Sequence, residues 1–208
     1  ECIEIDYEPL TAQPGAPAAF AAEARQIHDT APNNVCFRWL RGDHQKVAAA
    51  FETAAHIVQL DIVNQRIGGA AIEPRALIAL PPRGQDKLTL YSSTQVPHHI
   101  RRLVTEQLGM SEARMRVVSP DVGGGFGYKG KLYPEESILP WAAMRLGRPV
   151  RWSATRSESF LSDYQARDHT TDAELAVSAD GDFLALRVRT IANVGAYVST
   201  FGAAIPSA

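Results

Sequence analysis

The pattern of apolar and polar positions predicts a chain that mixes strands and helices. Two runs of alternating residues flank Asp180-Gly181, a dipeptide typical of tight hairpin turns, so a hairpin is predicted over 170–199. Residues 97–109 carry apolar side chains three or four positions apart, with a proline in the first turn and a glycine at the end, which predicts a helix. Further predicted strands cover 3–7, 34–43, 56–67, 75–82, 87–94 and 114–120, and further predicted helices cover 44–55, with Asp43 as N-cap, and 134–149.

These elements predict the α+β fold class, because strands and helices follow one another without strict alternation. Residues 10–19 are rich in proline, alanine and glycine, which is typical of a connector and marks a candidate domain boundary. The first residues carry a strand pattern and the last are apolar without a charged tail. We therefore expect the chain to be a piece of a longer polypeptide.

Composition and charge narrow the classes of partner. The formal net charge is -2, which favours neither nucleic acid nor an acidic membrane surface. No apolar run approaches 18 residues, so no membrane span is expected. Cys2 and Cys36 form no C-x-x-C motif, which favours two reduced thiols in a cytoplasmic protein and leaves the chain unable to ligate an iron–sulfur cluster by itself.

The segment "DVGGGFGYKGK" (121–131) is the strongest candidate for chemistry. It contains the spacing G-x-G-x-x-G of dinucleotide-binding loops and nearly completes the P-loop pattern, which fails at Leu132. Both kinds of loop open directly into a helix that holds phosphate at its N-terminus, whereas here the predicted helix begins only at Pro134. A nucleotide-binding domain therefore stays open only as an alternative. Three adjacent glycines do suit a backbone that approaches a ligand closely.

Three motifs together resemble a known family. The segments "STQ" (93–95), "GGGFGYK" (123–129) and "LGRPVRW" (146–152) are similar, in sequence and spacing, to the large subunit of the molybdenum hydroxylases. These include aldehyde oxidoreductases, xanthine dehydrogenase and carbon monoxide dehydrogenase. The resemblance implies the end of a hammerhead-like domain and a linker over 1–30, followed over 31–208 by the first part of a molybdopterin-binding domain.

The resemblance also implies roles for individual residues. Gln95 matches a glutamine whose side-chain amide donates a hydrogen bond to an oxygen ligand of molybdenum. Gly124, Gly125, Phe126 and Gly127 match residues whose main chain and ring lie beside the molybdopterin cofactor. No residue of the chain is expected to bind the metal directly. Lys129 is expected to be structural, and the segment Glu73-Pro74-Arg75 matches the family without a separable role. The remaining charged candidates are expected at the surface: His98, His99, Arg101, Arg102, Glu135 and Glu136.

For a full-length protein the resemblance implies oxidation of an aldehyde, an N-heterocycle or carbon monoxide with oxygen derived from water. Electrons would leave through iron–sulfur clusters and FAD on partner subunits. Xanthine is an unexpected substrate, because Gly130 occupies the position where the xanthine-oxidising members place a glutamate. The chain alone is expected to hold no cofactor and to be inactive. A catalytically dead assembly module stays a second alternative, since the family's general-base glutamate lies later in the sequence.

Overall fold

The structure is a computed structural model that describes residues 4–12, 15–84, 86–198 and 202. The chain divides into two compact units. The first unit is formed from residues 1–65 and 167–208, and the second from residues 66–166. This division does not test the family-based boundary between residues 30 and 31, which stays a prediction.

The first unit is built on a three-stranded antiparallel sheet. Strands β1 (His56–Asn64) and β9 (Phe183–Ala192) flank the central strand β8 (His169–Val177). The long hairpin of β8 and β9 turns at Asp180-Gly181, as the sequence predicted, and Gly181 has a φ of 92°. On one sheet face, Arg187 of β9 pairs with Glu174 of β8 at 2.7 Å.

The described part of this unit contains two α-helices. The short helix α1 covers Ala16–Ala19 and helix α2 covers His44–Thr53. The predicted N-cap of α2 is confirmed, because the carboxylate of Asp43 accepts a hydrogen bond from the Lys46 N–H at 3.1 Å. The ring of Phe51 on α2 lies 4.3 Å from the guanidinium of Arg187, which brings the helix against β9.

The second unit contains a four-stranded mixed sheet with two helices against it. Its strands β3 (Ala76–Leu80), β4 (Leu88–Ser92), β5 (Met115–Val118) and β6 (Val150–Ser153) lie in the order β5-β4-β3-β6. Helix α3 (Pro97–Gln107) connects the parallel pair β4 and β5, and helix α4 (Pro134–Leu146) precedes β6. Alternate strand residues and the apolar stripes of both helices form the core: Leu77, Ala79, Leu88, Leu90, Ile100, Val104, Met115, Leu139 and Ala143.

Two short strands complete this unit. Strand β2 (Ile67–Gly68) pairs antiparallel with β7 (Gln165–Ala166), which follows helix α5 (Arg156–Ser162). Thr155 caps α5 by accepting a hydrogen bond from the Glu158 N–H at 3.2 Å.

The structure confirms the α+β class and most of the predicted elements, but two predicted strands are wrong. Residues 4–7 and 34–43 have no strand structure, and residue 3 of the first predicted strand lies outside the described residues. Both segments have strand-like sequences, but an isolated strand leaves its backbone groups unpaired, and neither segment has a pairing partner in the part of the chain that the structure describes. Among the described residues, no helix is both long and apolar enough to cross a membrane.

Candidate functional site

The glycine-rich loop adopts a backbone that few side chains tolerate. Gly124 and Gly127 have φ values of 98° and 87°, and Phe126 between them has a φ of 48°. A phenylalanine in the left-handed region is strained, so the surrounding structure must hold it there. The Phe126 side chain is 73% exposed. The loop thus presents a large apolar ring to solvent from an unfavourable backbone conformation, which is a feature of binding sites rather than of ordinary turns.

Gln95, which the resemblance assigns to the same site, lies against this loop. The Gly127 N–H donates to Gln95 Oε1 at 3.0 Å. Because the backbone N–H can only donate, the amide oxygen faces Gly127 and the Gln95 NH₂ group is left as a donor. Gln95 is exposed, so this donor is accessible. Within the described residues, the N–H groups of Gly125 and Phe126 also have no hydrogen-bond acceptor.

Two of the glycines lie in close contact with neighbouring side chains. A Cβ at Gly125 would lie 2.7 Å from Gln95 Cγ and nearer still to its amide carbon. A Cβ at Gly123 would lie 2.6 Å from the Cβ of Glu73. By contrast, a Cβ at Gly130 would meet nothing within 4 Å. These close contacts explain the glycines at 123 and 125, whereas packing does not call for a glycine at position 130.

Lys129 and Glu73 form an ion pair beneath the loop. Lys129 is only 1% exposed, and its ammonium lies 3.1 Å from Glu73 Oε2. The same carboxylate oxygen accepts a short hydrogen bond from the Gly123 N–H. The backbone carbonyl of Lys129 accepts from the Gln95 N–H and from Thr94 Oγ1, both at 3.0 Å. The structural role expected for Lys129 fits this burial, and the contact with Glu73 could not be read from residues 56 positions apart.

Arg75 is the centre of a second buried charge cluster. Arg75 Nη1 lies 2.9 Å from Glu135 Oε2, and Arg75 Nε lies 2.7 Å from Asp163 Oδ1. The guanidinium carbon lies 3.6 Å from the centre of the Tyr133 ring, over its face. Burial alone would lower the pKa of Arg75, but the hydrogen bonds to the two carboxylates outweigh burial and raise it. The cluster ties the start of β3 to α4 and to the end of α5.

Glu135 and Glu136 correct the prediction that both are solvated charges. Glu135 pairs with buried Arg75, and Glu136 is only 4% exposed. Glu136 accepts hydrogen bonds from Ser92 Oγ at 2.9 Å and from the Tyr133 N–H at 3.0 Å. Burial raises the pKa of Glu136 to about 7, although both hydrogen bonds oppose this shift. The sequence places both glutamates in the first turn of a helix, but it does not show that Glu136 is buried or that Glu135 pairs with Arg75.

The remaining predicted surface residues agree with the structure except in one detail. Arg101 pairs with Glu112 and Arg102 with Glu106 on exposed parts of α3 and its flank. His98 is exposed, whereas His99 is half-buried. These residues lie outside the contacts that connect Gln95 to the glycine loop.

The helix that follows the loop does not begin where a phosphate-binding loop needs it. A single 3₁₀ turn covers Tyr128–Gly130, and α4 begins at Pro134, as predicted. The site therefore offers backbone and amide N–H donors beside an exposed ring, not a helix N-terminus. Such donors suit a ligand that is rich in oxygen or nitrogen acceptors and has a flat apolar part.

Comparison with known proteins gives this site a context. A family model described as the molybdopterin cofactor-binding domain matches residues 27–208. The large subunit of nicotine 6-hydroxylase from Paenarthrobacter nicotinovorans is 32% identical over 197 residues, which cover 95% of this chain and 23% of that protein. The large chain of carbon monoxide dehydrogenase from Hydrogenophaga pseudoflava is 32% identical over 209 residues, covering 95% of this chain and 26% of that protein.

The fold has close structural relatives as well. The crystal structure of quinoline 2-oxidoreductase from Pseudomonas putida 86 superposes with a TM-score of 0.82 at 34% identity, covering 95% of this chain and 25% of that one. The chain spans about a quarter of the length of these relatives. The resemblance drawn from "STQ", "GGGFGYK" and "LGRPVRW" is confirmed: the chain belongs to the molybdopterin cofactor-binding domain family of the molybdenum hydroxylase large subunits.

Proposed function

We propose that this chain forms one wall of the molybdopterin site in the large subunit of a molybdenum-dependent hydroxylase. The observation that carries the proposal is the contact between Gln95 and Gly127. It turns the Gln95 NH₂ group outward beside a loop whose own N–H groups are available. Gln95, Gly124, Gly125, Phe126 and Gly127 would together hold one side of the cofactor.

The donors of this site fit the cofactor chemically. Molybdopterin and the oxygen atoms around its metal are acceptor-rich, and a neutral amide donates to such atoms without competing for the metal. Gly124 and Gly125 let the main chain approach a flat ring system, and the exposed Phe126 ring provides an apolar wall. When bound, the cofactor supplies the redox chemistry that transfers an oxygen atom from water to the substrate. The residues of this chain orient the cofactor and the substrate and keep bulk water from one side.

We further propose an electron-poor small molecule as the substrate, namely an aldehyde, an N-heterocycle or carbon monoxide. The relatives named above include a nicotine hydroxylase and a carbon monoxide dehydrogenase, which supports this range. Gly130 leaves open space where a glutamate would bind a purine, which argues against xanthine.

Partner subunits belong to the same proposal. The relatives are named as a large subunit and a large chain, which supports an assembly of several subunits. We propose that the partners are a small iron–sulfur subunit and a medium FAD subunit. We place this assembly in the cytoplasm, in keeping with the sparse cysteines. The 208-residue chain alone would hold no molybdenum, because it supplies one wall of the site. Stoichiometric molybdenum in the purified chain, measured by plasma mass spectrometry, would contradict this.

The test uses the assembled enzyme that contains this chain. We expect molybdenum in the large subunit and incorporation of ¹⁸O from labelled water into the product. Gln95→Ala should lower turnover roughly hundredfold, the usual order for removing one preorganised donor. Gln107→Ala, at the end of α3, serves as the control and should retain turnover. Absence of molybdenum from the assembly, or equal turnover in both variants, would refute the proposal.

A further inference from the structure

We propose that Glu73 and Lys129 act as positioning residues that hold the glycine loop against Gln95. We call this pair the clasp. The inference rests on the proposed function, since it assigns the clasp to the cofactor-facing loop. It goes further by assigning a positioning role to two residues outside the proposed set of cofactor contacts.

Lys129 connects two parts of the site through its two ends. Its backbone carbonyl accepts hydrogen bonds from the Gln95 N–H and from Thr94 Oγ1. Its ammonium, buried at the other end of the side chain, pairs with Glu73 at 3.1 Å. A buried ammonium is expensive to desolvate unless it is paired, so the position of Glu73 is coupled to that of Lys129.

Glu73 is hydrogen-bonded to the opposite end of the loop. Its carboxylate accepts from the Gly123 N–H, and its own N–H donates to the Gly123 carbonyl at 3.2 Å. Gly123 has no room for a Cβ because Glu73 fills that space. A single carboxylate oxygen therefore contacts both the first glycine of "GGGFGYK" and its closing lysine.

The backbone strain of the loop lies between these two anchors, at Phe126. Its φ of 48° is unfavourable for a residue with a side chain, whereas Gly124 and Gly127 adopt their positive φ values without a steric cost. Strain of this kind persists only where neighbouring contacts fix the segment at both ends. The clasp provides these contacts, so its loss should release the loop from Gln95 before it disturbs the sheet.

The experiment measures the loop in the 208-residue chain without any cofactor. The double variant Glu73→Gln/Lys129→Met keeps an acceptor for Gly123 and removes both charges, so no unpaired charge stays buried. We expect amide exchange of Gly127, whose N–H bonds to Gln95, to accelerate roughly tenfold by NMR, with displaced loop resonances. Amides of β4, in the core, should keep their exchange rates. Glu73→Gln alone should accelerate the exchange of the Gly127 amide more than the double variant does, because it leaves the buried Lys129 ammonium without its carboxylate partner.

Glu112→Gln is the matched control, because it removes an exposed ion pair of the same unit. It should leave the Gly127 amide unchanged. Unchanged loop resonances and exchange in the double variant would overturn the proposal. So would an acceleration of equal size in β4, since that would mean a general loss of stability. Neither measurement involves molybdenum, so failure of the proposed function would show in the assembled enzyme and not here.

Discussion

Replacing Glu136 by glutamine should make the protein more stable at neutral and alkaline pH. Glu136 lies in the first turn of α4, where it is buried, and its carboxylate accepts hydrogen bonds from Ser92 Oγ and from the Tyr133 N–H. A glutamine can keep both contacts, because its oxygen can accept from Tyr133 while its NH₂ donates to the Ser92 hydroxyl oxygen. The substitution therefore removes a titratable proton and leaves the shape and the hydrogen bonds in place.

The magnitude follows from the shifted ionisation. Burial raises the pKa of Glu136 from 4.5 to about 7. The folded chain therefore binds this proton more tightly than the unfolded chain, and its contribution to stability is fully present below the unfolded pKa. The contribution is lost as the pH rises through about 7. The whole loss is about 3 kcal/mol, of which about 2.5 kcal/mol falls between about pH 5 and about pH 8.

Urea unfolding at these two pH values measures the effect. Tryptophan fluorescence can follow the second unit through Trp141 and half-buried Trp152 if Trp39 of the first unit is replaced by phenylalanine in every variant. The stability difference between Glu136→Gln and the unsubstituted chain should grow in favour of the variant by about 2.5 kcal/mol from about pH 5 to about pH 8. Glu106→Gln, at an exposed position of α3, should follow the unsubstituted chain at both pH values. A difference that stays constant with pH would refute the buried, proton-binding role of Glu136.

Three further substitutions test other parts of the structure. Asp43→Ala removes the N-cap of α2 and should lower the urea midpoint of the first unit; an unchanged midpoint would contradict the cap. Gly125→Ala should displace Gln95 and shift the NMR resonances of the loop, whereas Gly130→Ala, where space is free, should leave them in place; equal effects would contradict the close approach. Ser159→Ala removes a buried hydroxyl that has no hydrogen-bond partner among the described residues, so it should change the free energy of unfolding by less than about 1 kcal/mol. A larger loss in thermal or urea unfolding would mean that the hydroxyl is hydrogen-bonded.

Elements with local signals were predictable from the sequence. The Asp43 cap, the Asp180-Gly181 turn and the start of α4 at Pro134 all depend on residues within one turn of each other, so the sequence pattern contains the relevant interactions. The strands predicted over 3–7 and 34–43 show the limit of this reasoning, because residues 4–7 and 34–43 form no strand. Alternation indicates a surface that could pair, but pairing depends on a partner elsewhere in the chain.

For the candidate site, too, part was predictable from the sequence and part was not. The sequence by itself determined which residues are candidates, since "STQ" and "GGGFG" name Gln95 and the loop, and the glycines indicate close approach. Only the tertiary structure decided that Gln95 turns its oxygen to Gly127, that Glu73 reaches Lys129 and that Glu136 is buried. These outcomes depend on contacts between residues 32 to 56 positions apart. Burial and pairing at such separations arise from how strands and helices pack, and local sequence carries no record of that packing.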